Sequence, residues 1–288
     1  MINPMNDAQA IQAVLDDLSA PKLTAYKNLG LKDDWQVIQS YIFLLDLAGH
    51  FVVPLQLLEI ALRNKMYKEI AKQTKNQFWY NAVPYSKDSK RQVTLAKSEA
   101  LKDGKTSPDD IICRLMFGFW VYMTDKPYRP SFTPKAGEPA GTNLWQFIKG
   151  DVFPGATASM NHIFDELKAI NKMRNRLFHH EPLWKLSGHQ DLAAAVARTR
   201  AQYDRVLKVL GWISPEKLNL INGLGNTAKF YTACDATLFK PMPTAAEQAA
   251  KDAKDAQDAQ DAQDGSTLVE QANGTQAPQS QTVTTKAA

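Results

Sequence analysis

Five side chains between residues 171 and 180 could act together on an anion and a proton: Asn171, Arg174, Asn175, His179 and His180. An arginine guanidinium stays charged at physiological pH and offers a planar fork of donors that suits a carboxylate or a phosphate. A histidine titrates near neutrality and can accept or deliver a proton there. An asparagine can hydrogen-bond an anion's oxygen or hold an imidazole in one tautomer. The chemistry on offer is anion recognition joined to general acid–base transfer.

These residues lie in the stretch 160–184, M-N-H-I-F-D-E-L-K-A-I-N-K-M-R-N-R-L-F-H-H-E-P-L-W. Met160, Ile163, Leu167, Ile170 and Leu177 recur at helical spacing and predict a core-facing stripe. Arg174 takes the remaining slot of that stripe and needs a partner there. The partner is either a carboxylate of the protein, such as Glu181 or Glu59, or a phosphate of a ligand. Asn171, Asn175 and His179 are spaced by four and form a polar strip beside the seam. Arg174 and His179 are five apart, about 140° around an ideal helix. They can share an anion if the arginine curls back, more easily if the last turn unwinds, which Pro182 favours. His180 is expected nearer Leu177 and the core side.

The string R-N-R-L-F-H-H-E-P-L-W resembles the signature of the Abi-like (abortive infection, AbiD/AbiF-type) proteins of the HEPN superfamily. Their R-x-x-x-x-H core falls on Arg174 and His179, with Asn175 following the arginine. L-S-A-P-K-L-T-A-Y through Tyr26, L-L-E-I-A-L-R-N, F-W-Y-N at 78–81 and M-F-G-F-W are similar to the same family, so the resemblance covers most of 19–212. It implies an all-α, HEPN-like helical bundle with additional N-terminal helices. It also implies a metal-independent endoribonuclease of phage defence, with a composite site formed in a homodimer. Arg174, Asn175 and His179 become the catalytic residues on this reading. His180, Asn171, Glu59, Arg63 and Asn64 become supporting or RNA-binding residues. RNA is the expected substrate, no cofactor is expected, and a restraining antitoxin RNA or protein is a candidate partner.

Cleaving RNA without a metal requires a 2′-hydroxyl to lose a proton as it attacks phosphorus, and the leaving 5′-oxygen to gain one. Fixed donors must meet the charge on the non-bridging oxygens. One motif supplies one histidine and one arginine; a two-fold dimer would supply two of each around one groove. A non-catalytic HEPN-type module that binds RNA or protein through the same groove is the alternative. A metal site built from His162, His179, His180 and His189 is disfavoured, because adjacent histidines on a helix diverge by about 100°. Neither a Ser–His or Cys–His nucleophile motif nor a phosphate-cradling glycine loop is recognisable.

The totals set wider bounds. A chain of 288 residues can bury a full core. From Glu247 onward there are seven acids and three lysines, so the preceding body carries +8 of the net +4. A basic body fits a polyanion but also an ordinary basic domain. Cys113 and Cys234 form no ligand pattern, and no apolar leader is evident, so a reducing cytoplasm is the expected compartment. No stretch is read as approaching the ~20 uninterrupted apolar residues of a membrane span.

The elements that position the polar strip are all read as helices. An amphipathic helix over 7–18 uses Ile11, Val14, Leu15 and Leu18, and ends at Ser19-Ala20-Pro21. Asp33 or Asp34 caps a helix bearing Val37, Ile38, Tyr41, Ile42, Leu45 and Ala48. A long helix from Pro54 to about Ala71 carries the stripe Leu55, Leu58, Leu62, Met66 and Ile70, with Glu59 and Arg63 spaced for an intrahelical ion pair. Residues 84–106 suggest another helix, whose Val93 and Leu95 do not define a face. Ser107-Pro108-Asp109-Asp110 starts a central helix running through I-I-C-R-L-M-F-G-F-W-V-Y-M, with Cys113 as a small buried hydrophobe. A proline-rich excursion over 125–156 surrounds a short L-W-Q-F-I helix. After the motif helix come a helix over about 189–211 and a last one from Ser214-Pro215 to near Gly223. The domains are thus 1–240 and a low-complexity tail 241–288, whose D-A-Q repeat is too poor in apolar surface to fold and is expected to be disordered.

Overall fold

The computed structural model describes residues 8–83, 85–129, 143–185, 191–235 and 247–260. In chain order its helices begin with α1 (Ala8–Leu18), α2 (Ala20–Lys27), α3 (Asp34–Gly49), α4 (Val52–Thr74), α5 (Lys87–Lys102) and α6 (Pro108–Ile112). They continue with α7 (Phe117–Tyr122), α8 (Trp145–Val152), α9 (Met160–Phe178), α10 (Leu192–Ile213), α11 (Pro215–Gly223), α12 (Asn226–Ala233) and α13 (247–260). No strand occurs among the described residues, so the fold class is all-α. Leu18–Lys240 forms one compact unit, and Met1–Asp17 with Pro241–Ala288 forms another.

The larger unit is built on α4. Its stripe Leu55, Leu58, Leu62, Met66 and Ile70 is buried, as the spacing predicts. This face packs against α8 and α10, and α7 leans on the same helix. In α10, Val196, Tyr203, Val206, Leu207 and Leu210 are buried, again as expected. The motif helix α9 packs between α7 and α10. Its buried side chains are Ile163, Phe164, Leu167, Ile170 and Met173, while Leu177 is only half-buried. The apolar stripe therefore ends at Met173, and Arg174 sits on its margin.

Several local readings change. In α3, Ile42 is 55% exposed and Leu45 also faces outward; Leu44 and Leu47 fill the core instead. Between α3 and α4, His50 and Phe51 keep right-handed helical backbone, so the two helices are nearly continuous. Pro54 has no N–H for the His50 carbonyl, which explains the interruption. By length and composition alone this run, Asp34–Thr74, contains an 18-residue window of mean hydropathy 1.6, as a membrane-crossing helix would, although Asp46, His50 and Glu59 interrupt the run and it is no uninterrupted apolar stretch. In the fold, 44% of that window is buried inside the protein.

The expected single helix after Ser107 is two short ones, α6 and α7, separated at 113–116. The Ser107–Asp110 capping box starts α6 as predicted. Cys113 is exposed rather than buried, because it lies at the α6 terminus instead of inside a continuous apolar helix. In α5 the inward face is made by Ser89, Val93, Ala96 and Ala100, small residues that an apolar count overlooks. Helices α2 and α12 were not anticipated. In the smaller unit, α1 keeps Ile11, Val14 and Leu15 on its less exposed side. Residues 247–260 are helical, contrary to the expectation of disorder there. Alanine, glutamine and lysine favour helix locally even where no face is buried, and the side chains of α13 are almost all exposed. The D-A-Q tract beyond residue 260 and residues 130–142 of the proline-rich excursion lie outside the described residues.

Glu166 locks α9 to α10. Its carboxylate accepts from Arg205 Nε at 2.8 Å and Lys208 Nζ at 2.9 Å, with His162 3.6 Å away. Burial alone would raise its pKa, but the Lys208 hydrogen bond and the Lys208 and Arg205 charges outweigh it and hold the carboxyl below the usual range. A depressed folded pKa contributes stability above the unfolded value and loses it as pH falls through the folded one. Thermal melts between pH 7 and 3 should therefore show a steeper acid loss for the wild type than for Glu166→Gln. Parallel pH profiles would remove Glu166 as a source of acid sensitivity.

Candidate functional site

The site lies where α9 ends. His179 is the C-cap, and His180 adopts a left-handed backbone with φ of 56°. The N–H of His180 donates to Leu177 O at 3.1 Å, and that of Glu181 to Arg176 O at 2.8 Å. These two bonds form the Schellman closure of a helix, normally built around glycine. Pro182 follows two residues later and does not itself end the helix. Contrary to the sequence reading, His180 is exposed and does not turn toward the core.

Beyond the closure the chain is anchored again. Leu183 and Trp184 are buried, and the Trp184 ring meets Tyr26 edge-on at 5.4 Å. Tyr26 in turn contacts Tyr41 at 5.2 Å. The E-P-L-W segment thus returns to α2 and α3, and the helix end is held from both sides. His179 stays over Asn175 because its N–H donates to the Asn175 carbonyl at 3.0 Å. Its imidazole is exposed.

Arg174 is half-buried, its side chain 28% exposed. Its Nη2 lies 3.7 Å from Glu59 Oε2 of α4, one of the two carboxylates foreseen for it. The other, Glu181, pairs with Arg176 at 3.7 Å. Arg174 Nη1 donates to Asn175 Oδ1 at a long 3.5 Å. Its Cζ stands 4.6 Å from the centre of the Phe178 ring, a cation–π contact. Its Nε is buried and makes no hydrogen bond among the described residues. The Glu59 pair is loose and partly solvated, worth at most about 1 kcal/mol, so another anion can compete with Glu59 for Nη2.

The expected Glu59–Arg63 intrahelical pair is replaced. Glu59 turns to Arg174, and Arg63 Nε donates to Asn64 Oδ1 at 3.0 Å. The structure thus joins Arg174, Asn175 and Glu59, and joins Arg63 with Asn64. Asn171 and Asn175 also line a groove of about 490 Å³ with Tyr122, Asp165, Lys168 and Lys172. Sequence reading missed Phe178, although its i+4 spacing from Arg174 is a usable signal. Tyr122 could not be found that way, because only tertiary packing brings α7 beside α9. No group of three His, Cys, Asp or Glu among the described residues is placed to hold a metal ion, and His189 lies outside them.

Comparison with family models, with curated proteins and with solved structures found no match.

The left-handed His180 backbone is unfavourable by about 1–2 kcal/mol for a residue with a Cβ. His180→Gly should therefore raise the melting temperature, whereas His180→Ala should not. A lowered melting temperature for His180→Gly would mean that the imidazole itself stabilises the helix end.

Proposed function

We propose that this protein is a metal-independent endoribonuclease of the HEPN type, acting in the manner of Abi-like phage-defence proteins. The observation that carries the reading is the end of α9. There a half-buried Arg174, whose Nη1 donates to Asn175 and whose buried Nε has no hydrogen bond among the described residues, lies one short turn from the exposed imidazole of His179. In this scheme Arg174 and Asn175 hold the scissile phosphate's non-bridging oxygens. His179 takes the proton of the 2′-hydroxyl as its oxygen bonds to phosphorus. The P–O5′ bond breaks, and a second proton donor protonates the leaving oxygen. His179 of a two-fold partner supplies that donor when two α9 ends meet. The exposed apolar side chains Phe178 and Ile60, beside Arg174 and Glu59 in the chain or in space, support such a pairing. Glu59 orients the guanidinium, His180 shapes the helix end, and Arg63 and Asn64 offer further donors on α4. The expected setting is the cytoplasm, with an antitoxin RNA or protein as restraint.

A second reading, a non-catalytic RNA- or protein-binding module, is favoured by one contact: Arg174 already faces the carboxylate of Glu59. Cleavage separates the two. Purified protein incubated with mixed RNAs in EDTA should yield 2′,3′-cyclic phosphate ends and leave DNA intact. His179→Ala should lower the rate by about 10²–10⁴-fold, and Arg174→Lys should rescue little of the loss in Arg174→Ala. Wild-type cutting by folded His179→Ala protein would overturn the catalytic assignment. Failure of the wild type to cut any RNA in the panel would favour the binding module.

The pairing has its own test. Light scattering at micromolar concentration should give a dimer mass that falls when Phe178 is changed to Asp. A monomer that retains full RNase activity would rule out the shared site.

A further inference from the structure

We infer that the groove between α7 and α9 is a track for single-stranded RNA, leading the strand toward Asn175 and the end of α9. This rests on RNA being the ligand of the proposed function, but, Asn175 apart, it concerns residues outside that chemistry.

The groove has two unlike walls. One is α9, which presents Lys168, Asn171, Lys172 and Asn175 at spacings of three and four, hence on one face. The other is the end of α7, where Tyr122 is 41% exposed. Phe164, itself buried, fixes both walls. The Tyr122 ring lies 6.3 Å from the Phe164 ring at a tilt of 57°, and the Lys168 ammonium sits 5.6 Å from the same ring's centre. The aromatic surface and the first cation therefore stand in a set relation. Gly118 of α7 faces Asn171 directly: a Cβ there would lie 3.4 Å from Asn171 Nδ2, in ordinary van der Waals contact.

A single strand needs cations for its phosphates and exposed rings on which unpaired bases stack. Lys168 and Lys172 supply the first and Tyr122 the second. Asn171 and Asn175 add neutral donors that hydrogen-bond phosphate without adding charge. Lys168 to Asn175 spans about 10 Å of helix at 1.5 Å per residue. That matches roughly three nucleotides at ~3.4 Å each in a stacked strand. Asp165, one turn before Lys168, also lines the groove. Its carboxylate repels phosphate and marks where the strand leaves. A duplex would hide its bases from Tyr122, so single strands are the ligand. Stacking tolerates any base, so little sequence preference is expected from this segment.

The test uses the full chain carrying His179→Ala, so that binding is read without cleavage. Fluorescence anisotropy with a labelled 12-nucleotide RNA would follow affinity from 50 to 300 mM salt. Adding Lys168→Gln and Lys172→Gln should weaken binding at least tenfold. It should also flatten the slope of log K against log salt by about 1.4, since each neutralised phosphate contributes ~0.7 for single strands. Tyr122→Ala should weaken binding tenfold with the slope unchanged. Lys90→Gln with Lys97→Gln, on α5, should change neither. Unchanged affinity and slope in both groove variants would overturn the track, even if the wild type cuts RNA. Conversely, if the wild type never cuts but the groove variants lose binding, the nuclease reading falls and the track stands.

Discussion

A guanidinium at the margin of a packed core has to be met by negative charge or by electron-rich surface, and the end of α9 is arranged around that need. Arg174 follows the last buried residue of the stripe, Met173. Glu59 meets it from α4 and the Phe178 ring lies against it. Leu58, Leu62, Met66 and Ile70 of α4 are fully buried, so the carboxylate that meets the cation is carried by a firmly packed helix. The Schellman closure fixes the position of the following histidine by backbone bonds, and Leu183 and Trp184 fix the chain beyond. Helix end, cation and imidazole are thus placed by three separate constraints.

The fold class and the main stripes were legible because they rest on periodicity. Leu55 to Ile70 and Val196 to Leu210 alternate cleanly, and burial follows. The misreadings share one cause: a side chain's type was allowed to stand for its environment. Ile42 and Leu45 are apolar yet face outward, while Ser89, Ala96 and Ala100 are small yet face inward. Cys113 was judged by composition and falls at a helix end. The apolar run after Ser107 concealed the break between α6 and α7, since an apolar helix and an apolar turn look alike without a polar face to show the period.

The site was half legible. Its residues are contiguous in sequence, so the polar strip and the two carboxylates able to reach Arg174 could be named in advance. Which carboxylate reaches it depends on where the packing of α4 leaves Glu59, a tertiary fact. The termination of the helix was attributed to Pro182, the residue with the obvious backbone defect. It is made instead by His180 in a conformation whose usual occupant is glycine, and no propensity scale assigns that to histidine. The contribution of α7 was invisible, because Tyr122 is more than forty residues from the strip it faces.

Helix α13 has a geometric consequence. Its Asp-Ala-Gln or Asp-Ala-Lys unit repeats every three residues, placing acids at Asp252, Asp255 and Asp258. At 3.6 residues per turn each repeat falls about 60° short of a full turn. The carboxylates therefore wind around the helix as a left-handed spiral staircase, and the alanines follow the same path one step on. Ala249, Ala253 and Ala256 line up over two turns, but the repeat then carries Ala259 round the side, so the seam of methyl groups does not run the length of the helix. The segment is a charged rod about 21 Å long at 1.5 Å per residue, whose acids turn about its axis from one repeat to the next.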